Sequence, residues 1–366
     1  MNILIIVEAI PPYCGGAEHA AWNKALILKK YDTVSIITFG SEDCYAFLEG
    51  IHVYYLKKRR KQLSYYFTAG RKKIHNYLKM INPDIIHSHM PDVLHFCLPK
   101  NRYNLISTIH DGVPETKMVA IQGHSPLHWL KFKVMRRYNI AKSKIVTCVS
   151  KYNYQIMTRL YNKQRGKFAV IPNGISESFY TPVNSDQGQF ILNFGRQIEL
   201  KMGPLIEVAQ LMPNMQFKFL GNGPMVQDYG VRNVEFVGFR AKVKEMIDQA
   251  FFCVFPSVSE NLPLVGLESM ARGRPVIATK TGFSEYIIDG ENGILLSDRE
   301  PQTIKAAIEL LLADESLYDR LCRNGRSTAE QYRSTVIIDK YRELYDGLLG
   351  RNNQALKKYQ PDGNSL

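Results

Sequence analysis

Short unbroken apolar runs recur along the chain, each ending in a loop of glycine, proline or polar residues and followed by a stretch with helical spacing. The first run, Asn2-Ile3-Leu4-Ile5-Ile6-Val7, leaves no polar face for water, which is the pattern of a strand buried on both sides. It runs into the turn Pro11-Pro12-Tyr13-Cys14-Gly15-Gly16, and a helical pattern covers Ala17 to Lys29. The same order returns at Val34 to Phe39, Asp84 to His87, Leu105 to Ile109 and Lys144 to Val149. Strands that alternate with helices predict βαβ units and a parallel sheet.

The alternation pauses near Pro172-Asn173-Gly174, and the polar stretch Thr181 to Gln189 precedes a second series. That series holds Phe190 to Gly195, Gln216 to Gly221, Val234 to Gly238, Phe251 to Pro256 and Pro275 to Thr279. A chain of 366 residues exceeds one ordinary domain of roughly 100–200 residues. The expected architecture is therefore α/β, with two Rossmann-like doubly wound parallel-sheet domains over residues 1–176 and 177–330. A helical pattern from Thr328 through Tyr332, Ile337, Ile338, Tyr341, Leu344 and Leu348 is expected to carry the last segment, 331–366, back onto the first domain, ending in a polar tail from Arg351. Ligands in open sheets bind beyond the carboxyl ends of the strands, here in a cleft between domains that face each other.

Composition narrows the class. No apolar run approaches the ~18 residues of a membrane span, and Met1-Asn2 carries no basic region of a signal peptide. Cys14, Cys44, Cys97, Cys148, Cys253 and Cys322 lie far apart without a C-x-x-C pair, which argues against a disulfide scaffold or a zinc cluster and fits a reducing cytoplasm. The net charge of +13 is unevenly placed: residues 1–176 hold 26 Lys+Arg against 10 Asp+Glu, and the remainder 21 against 24. The basic half suits phosphates, nucleic acid or an anionic membrane surface, or else a solvated face.

Four constellations stand at strand-to-helix junctions. Gly15-Gly16-Ala17-Glu18 opens a helix, where glycines admit a ligand to backbone N–H groups at the positive helix end, although a glycine pair is more often only a turn. Gly195-Arg196 and, five residues on, Lys201 place two cations after a strand, able to hold the two phosphates of a nucleotide or simply to sit at the surface. Glu260 lies in a loop after a strand and Glu268 two turns into the next helix, so both carboxylates can accept bonds from sugar hydroxyls; the plainer alternative is a pair of acids near a helix dipole. His110 follows a strand in Thr108-Ile109-His110-Asp111-Gly112, a position more often structural than catalytic. His87, His89 and Asp92 match no strong zinc spacing and read as another cleft-facing strand end.

In this order, Gly-Gly-Ala-Glu, Thr-x-His-Asp, Pro-Asn-Gly, Gly-Arg-x4-Lys-x-Gly and Glu-x7-Glu, running on through Ser-Met-Ala-Arg-Gly-Arg-Pro-Val-Ile-Ala-Thr, the motifs resemble the retaining GT-B glycosyltransferases of the Glu-x7-Glu type, over residues 1 to about 350. The resemblance implies a nucleotide-diphospho-sugar, most often a UDP-sugar, bound by the second domain. It implies that Arg196 and Lys201 neutralise the diphosphate with the backbone N–H groups of Leu264 and Val265, that Glu268 holds the ribose, and that Glu260, beside Asn261, holds the sugar. The base would lie near Gly221, Gly223, Phe239 and Arg240, Gly15 and Gly16 would reach the diphosphate from the first domain, and His110 would bond the donor sugar. Cations on the leaving phosphates stabilise charge where it develops. With no second carboxylate placed as a nucleophile, the pattern favours retention by front-face attack, and two cations in place of a metal favour a metal-independent, cofactor-free reaction.

Two departures stand out. Glu260 precedes Asn261-Leu262-Pro263 where similar sequences carry Gly-Phe-Gly or Gly-Leu-Pro, and Gly266 replaces a larger apolar residue, which is expected to loosen the helix start.

The acceptor is expected on the first domain. Lys57-Lys58-Arg59-Arg60-Lys61 leads into Leu63, Tyr65, Tyr66 and Phe67, and His128 to Tyr138 adds Trp129, Lys131, Lys133, Arg136 and Arg137. Cations beside aromatics read as an anchor for anionic lipid headgroups. The expected enzyme is thus cytoplasmic, peripheral on the inner face of the cytoplasmic membrane, and extends a lipid-linked saccharide in surface polysaccharide synthesis. The alternatives are a soluble acceptor with a merely solubilising basic face, or, in another class, a nucleic-acid-binding protein, against which stands the lack of any recognition motif.

Overall fold

The computed structural model describes the chain except residues 12–14, 58–68, 90–97, 100–101, 111–125, 182–187, 239–241, 353 and 362–366, and the side chains of residues 69, 126–132 and 356. The chain forms two units: Met1–Gly174 together with Ser334–Leu366, and Ile175–Arg333.

The first unit holds β1 (Asn2–Ile6), β2 (Thr33–Gly40), β3 (Cys44–Leu48), β4 (Ile51–Lys57), β5 (Ile85–Ser88), β6 (Asn104–Ile109), β7 (Ile145–Cys148) and β8 (Phe168–Val170) in the order β3-β4-β2-β1-β5-β6-β7-β8. The unbroken apolar run of β1 is explained by its place inside the sheet. Ile3 and Ile5 point to one face, against Ala21, Ala25, Ile337 and Tyr341, while Leu4 and Ile6 point to the other, against Ile74 and Leu78. All described pairings are parallel except β3 with β4. That hairpin, absent from the sequence expectation, turns on Glu49 and Gly50, both at positive φ (49° and 81°), as a two-residue turn between twisted strands requires.

The second unit is a parallel sheet of β9 (Phe190–Phe194), β10 (Phe217–Leu220), β11 (Val234–Gly238), β12 (Ala250–Phe255), β13 (Val276–Thr279) and β14 (Ile294–Leu296), ordered β11-β10-β9-β12-β13-β14. The helical pattern drawn as continuous from Thr328 to Leu348 is two helices: Glu315–Glu330 belongs to the second unit and Ser334–Leu348 to the first. Between them Ile175 bridges Arg333, and its N–H donates to the Tyr332 carbonyl at 2.9 Å. The helix Ser334–Leu348 then buries Ile337, Ile338, Tyr341, Leu344 and Tyr345 in the first unit's core. Among the described residues no helix is long and apolar enough to cross a membrane.

Candidate functional site

The carboxyl ends of β9, β10 and β12 in the second unit gather the residues singled out above. Gly195, just after β9, has a φ of 121°, and the side chain of the exposed Arg196 next to it makes no hydrogen bond or ion pair among the described residues. Gln197, by contrast, is fully buried. Its amide donates to the Gly195 carbonyl at 3.1 Å, the Leu220 carbonyl at 3.2 Å and Asn193 Oδ1 at 3.3 Å, tying the loops after β9 and β10 together. These loops approach so closely that a Cβ on Gly221 would lie 1.9 Å from the Gly195 carbonyl oxygen, and one on Gly223 2.0 Å from that of Gln197. Gln197 is not singled out in the sequence, although a polar side chain three residues past a strand end is a candidate for this bracing.

Lys201 sits in the short helix Glu199–Met202. The helix is fastened to the loop after β12, since Val258 N–H donates to the Leu200 carbonyl at 2.8 Å and Arg299 bridges the Pro256 and Glu199 carbonyls. This brings Lys201 Nζ to 2.8 Å from Glu260 Oε1, which also accepts from Ser257 Oγ at 3.1 Å. The two residues expected on phosphate and sugar therefore pair with each other. Lys201 keeps 37% of its side chain exposed, so the pair adds little stability and its members remain open to exchange partners.

The loop leads into the helix Leu264–Ala271, whose N-cap is Pro263, with no side-chain cap and no acid in the first turn. The N–H groups of Leu264 and Val265 thus have no partner among the described residues, a positive helix end open to an anion. Neither Glu260 nor Glu268 caps this helix. The side chain of the half-buried Glu268 has no hydrogen bond or ion pair among the described residues, and burial raises its carboxyl pKa to about 7. Asn261 is buried, with Gly282 packed so tightly on its carbonyl that a Cβ there would lie 2.4 Å from the oxygen. The expected loosening at Gly266 does not occur: the Tyr286 hydroxyl occupies that side-chain position, and it donates to the Pro263 carbonyl at 2.7 Å.

In the first unit Gly15 and Gly16 open the helix Gly16–Leu28, again without a side-chain cap, and a Cβ on Gly16 would meet nothing within 4 Å. His110 Nε2 lies 3.0 Å from His89 Nδ1, and the Asn173 amide donates to His110 Nδ1 at 3.2 Å. Burial, with Lys24 nearby, lowers the His110 pKa to about 3, so the ring is neutral at physiological pH. His87 Nδ1 is 2.6 Å from the Tyr345 hydroxyl and its Nε2 2.6 Å from Thr108 Oγ1. His87 and His89 are thus core residues rather than a cleft-facing strand end, because β5 is covered by the helix Ser334–Leu348. Among the described residues no group of His, Cys, Asp or Glu is arranged to hold a metal ion; Asp92 and Asp111 lie outside them. Lys24, also missed in the sequence, is buried 3.4 Å above the Tyr341 ring with no carboxylate partner among the described residues, and burial lowers its pKa well below the ordinary lysine value.

Residues 197–314 match the family described as Glycosyl transferases group 1, and residues 14–179 match Glycosyltransferase Family 4. The chain belongs to the group 1 glycosyltransferases. It is 28% identical over 354 residues to an uncharacterized glycosyltransferase (MJ1178) of Methanocaldococcus jannaschii, covering 92% of this chain and 96% of the relative. It is 29% identical over 117 residues, 32% of this chain and 31% of the relative, to the N,N'-diacetylbacillosaminyl-diphospho-undecaprenol alpha-1,3-N-acetylgalactosaminyltransferase of Campylobacter jejuni. Anabaena HepE, crystallised with UDP and glucose, has the same fold at a TM-score of 0.74 and 19% identity, over 94% of this chain and 99% of that one. The fold is GT-B.

The basic residues of this glycosyltransferase are less uniform than its sequence suggests. Lys57 ends β4 and is exposed, as are Lys133 and Arg137 on the helix Pro126–Lys142. Arg136, expected on the same basic face, is 1% exposed and so withdrawn from any membrane or acceptor surface; it shares the inward side of the helix with Asn139 and Ile140. Lys58, Arg59, Arg60, Lys61, Phe239 and Arg240 lie outside the described residues, as do the side chains of Trp129 and Lys131.

Proposed function

We propose that this glycosyltransferase moves a hexose-type sugar from a nucleotide-diphospho-sugar, specifically a UDP-sugar, to a lipid-linked saccharide, with retention of configuration and without a metal. The observation that carries the donor reading is the uncapped first turn at Leu264 and Val265, which follows the loop where Glu260 pairs with Lys201 and leads on to Glu268, whose side chain has no partner among the described residues. A diphosphate needs N–H donors and cations, and the sugars on either side of it need acceptors; this loop and helix supply the donors and acceptors, and Arg196 and Lys201 after β9 supply the cations. In this reading Lys201 and the exposed Arg196 take the phosphates, with Leu264 and Val265 donating from the backbone. Lys201 leaves Glu260 for the diphosphate, which frees the Glu260 carboxylate to accept from the donor sugar, and Glu268 accepts from the ribose. As the glycosidic bond to phosphate breaks, negative charge grows on the leaving diphosphate, where the cations and helix N–H groups are already placed. The leaving phosphate oxygen takes the acceptor's proton, so no protein nucleophile is required.

The choice of UDP is supported by the ligand named with HepE, and the lipid-linked acceptor by the undecaprenol-linked substrate named for the Campylobacter relative together with the excess of positive charge in residues 1–176. That charge also supports a peripheral position on an anionic cytoplasmic membrane face. The test is thermal shift and donor hydrolysis over UDP-, GDP-, ADP- and dTDP-sugars, with and without EDTA, using wild type, Glu268→Ala and Lys201→Ala. Stabilisation by one UDP-sugar, unaffected by EDTA and weakened in both variants, is expected. No shift of the wild type by any nucleotide sugar at millimolar concentration would overturn the donor assignment.

A further inference from the structure

Gly266 and Tyr286 exchange bulk across the start of the helix Leu264–Ala271. A Cβ on Gly266 would lie 2.3 Å from the Tyr286 hydroxyl oxygen and 3.0 Å from the nearest atom of the Phe283 ring, so the glycine leaves the hole into which Tyr286 reaches. The tyrosine is held there from both sides, its ring edge-on to Phe283 at 6.2 Å and to Tyr332 at 5.9 Å between centroids, with 6% of the residue exposed. Its hydroxyl donates to the Pro263 carbonyl at 2.7 Å. That acceptor matters because the Pro263 carbonyl and the Leu264 N–H belong to one planar peptide unit. In a trans peptide the two point in opposite directions. Fixing the oxygen inward on Tyr286 therefore aims the Leu264 N–H outward, at a cap position where proline provides no side-chain acceptor of its own. Burial and the nearby Glu260 and Glu268 carboxylates keep the Tyr286 hydroxyl protonated, so it stays a donor.

We infer that Tyr286, admitted by Gly266, is a positioning residue that orients the Leu264 N–H toward the diphosphate of the donor. The inference rests on the donor reading above and deepens it: part of the anion specificity is set by a side chain that touches no ligand. It separates two effects that a plain packing role would join, since the hydroxyl bears on phosphate recognition whereas the filled volume bears on stability.

The experiment measures UDP affinity by titration calorimetry and uridine affinity by NMR titration for wild type, Tyr286→Phe, Gly266→Ala and the double variant Gly266→Ala/Tyr286→Phe, with Tm for each. Tyr286→Phe is expected to weaken UDP about tenfold and to leave uridine, which has no phosphate, within about twofold. In the double variant the added methyl occupies the space left by the hydroxyl, so Tm recovers toward wild type while UDP affinity does not. If Tyr286→Phe does not fold, Gly266→Ala alone, which forces the hydroxyl off Pro263, is expected to show the same selective loss of UDP. Equal loss of UDP and uridine, or UDP affinity that returns together with Tm in the double variant, would overturn the positioning role. A wild type that binds UDP no better than uridine overturns the donor reading itself, before any variant is compared.

Discussion

Glu268 offers two pH dependences of opposite sign from one carboxyl group. Burial holds its pKa at about 7 in the folded chain, against an ordinary value of 4.5. Between these values the folded protein carries a proton that the unfolded chain has lost, so stability falls as pH rises from about 4.5 to about 7 and is level above that. The full interval is worth at most about 3 kcal/mol, less whatever the exposed part of the side chain regains from water. In a unit of this size it moves Tm by several degrees. Nucleotide binding runs the other way, because ribose hydroxyls require the carboxylate as acceptor. At pH 6 only about a tenth of the sites are ionised and at pH 8 about nine-tenths, so UDP is expected to bind nearly tenfold more tightly at pH 8. Glu268→Gln should flatten both curves and bind UDP weakly throughout. The assay is a thermal scan from pH 4.5 to 8 paired with UDP calorimetry at pH 6 and 8. Parallel stability profiles for wild type and variant, or a UDP affinity in wild type that ignores pH, would refute the reasoning.

Other consequences are more compact. Lys201→Ala should lower donor turnover about 10²–10³-fold while changing stability by less than about 1 kcal/mol, since its own end of the ion pair is partly exposed; kcat/KM and Tm measured together check this. Gln197→Leu deprives the Gly195 carbonyl of its side-chain partner and should cost about 1–3 kcal/mol in urea denaturation. Lys24→Met should stabilise the protein by about 1–3 kcal/mol at pH 7, because an amine buried without a carboxylate opposes folding. The lowered lysine pKa means the unfolded chain binds more protons, so that gain should shrink as pH rises toward the ordinary lysine value, which Tm at pH 7 and 9.5 would show. Replacing the cations from Lys57 to Lys61 with glutamine should abolish sedimentation with anionic liposomes, and equal pelleting of variant and wild type would rule out an anchor there.

The sheets were legible because β1, β9 and β12 are buried on both faces, so an apolar run with no polar alternation marks each of them. The β3–β4 hairpin was not, since Glu49-Gly50 lacks the Asn-Gly or Asp-Gly signature and Tyr45 and Phe47 remain exposed. The charged members of the candidate site are visible in sequence as residue types at strand ends, but their mutual pairing is not: that Lys201 rests on Glu260 follows from Arg299 and Val258 fastening two loops more than fifty residues apart. Arg136 and Lys24 mislead for a common reason. Each lies on a helix whose inward side is set by the sheet it packs on, and a basic residue there looks like any surface cation until that side is known. Gly266 could be judged only with Tyr286 in view, since the space it leaves is filled from twenty residues away in the chain.

The helix Ser334–Leu348 completes the core of a unit that begins at Met1, which orders the birth of the molecule on the ribosome. When residue 333 emerges, the segment Ile175–Arg333 is contiguous and able to fold, whereas the earlier sheet still lacks Ile337, Ile338, Tyr341 and Tyr345 against β1, His87 and Lys24. The first half synthesised is therefore sealed only after the second has emerged, and its apolar face stays available to chaperones until residues 334–348 have been made. A message truncated just before codon 334 would yield a sound second unit attached to a first that cannot close, and such products should be found among the aggregated fraction.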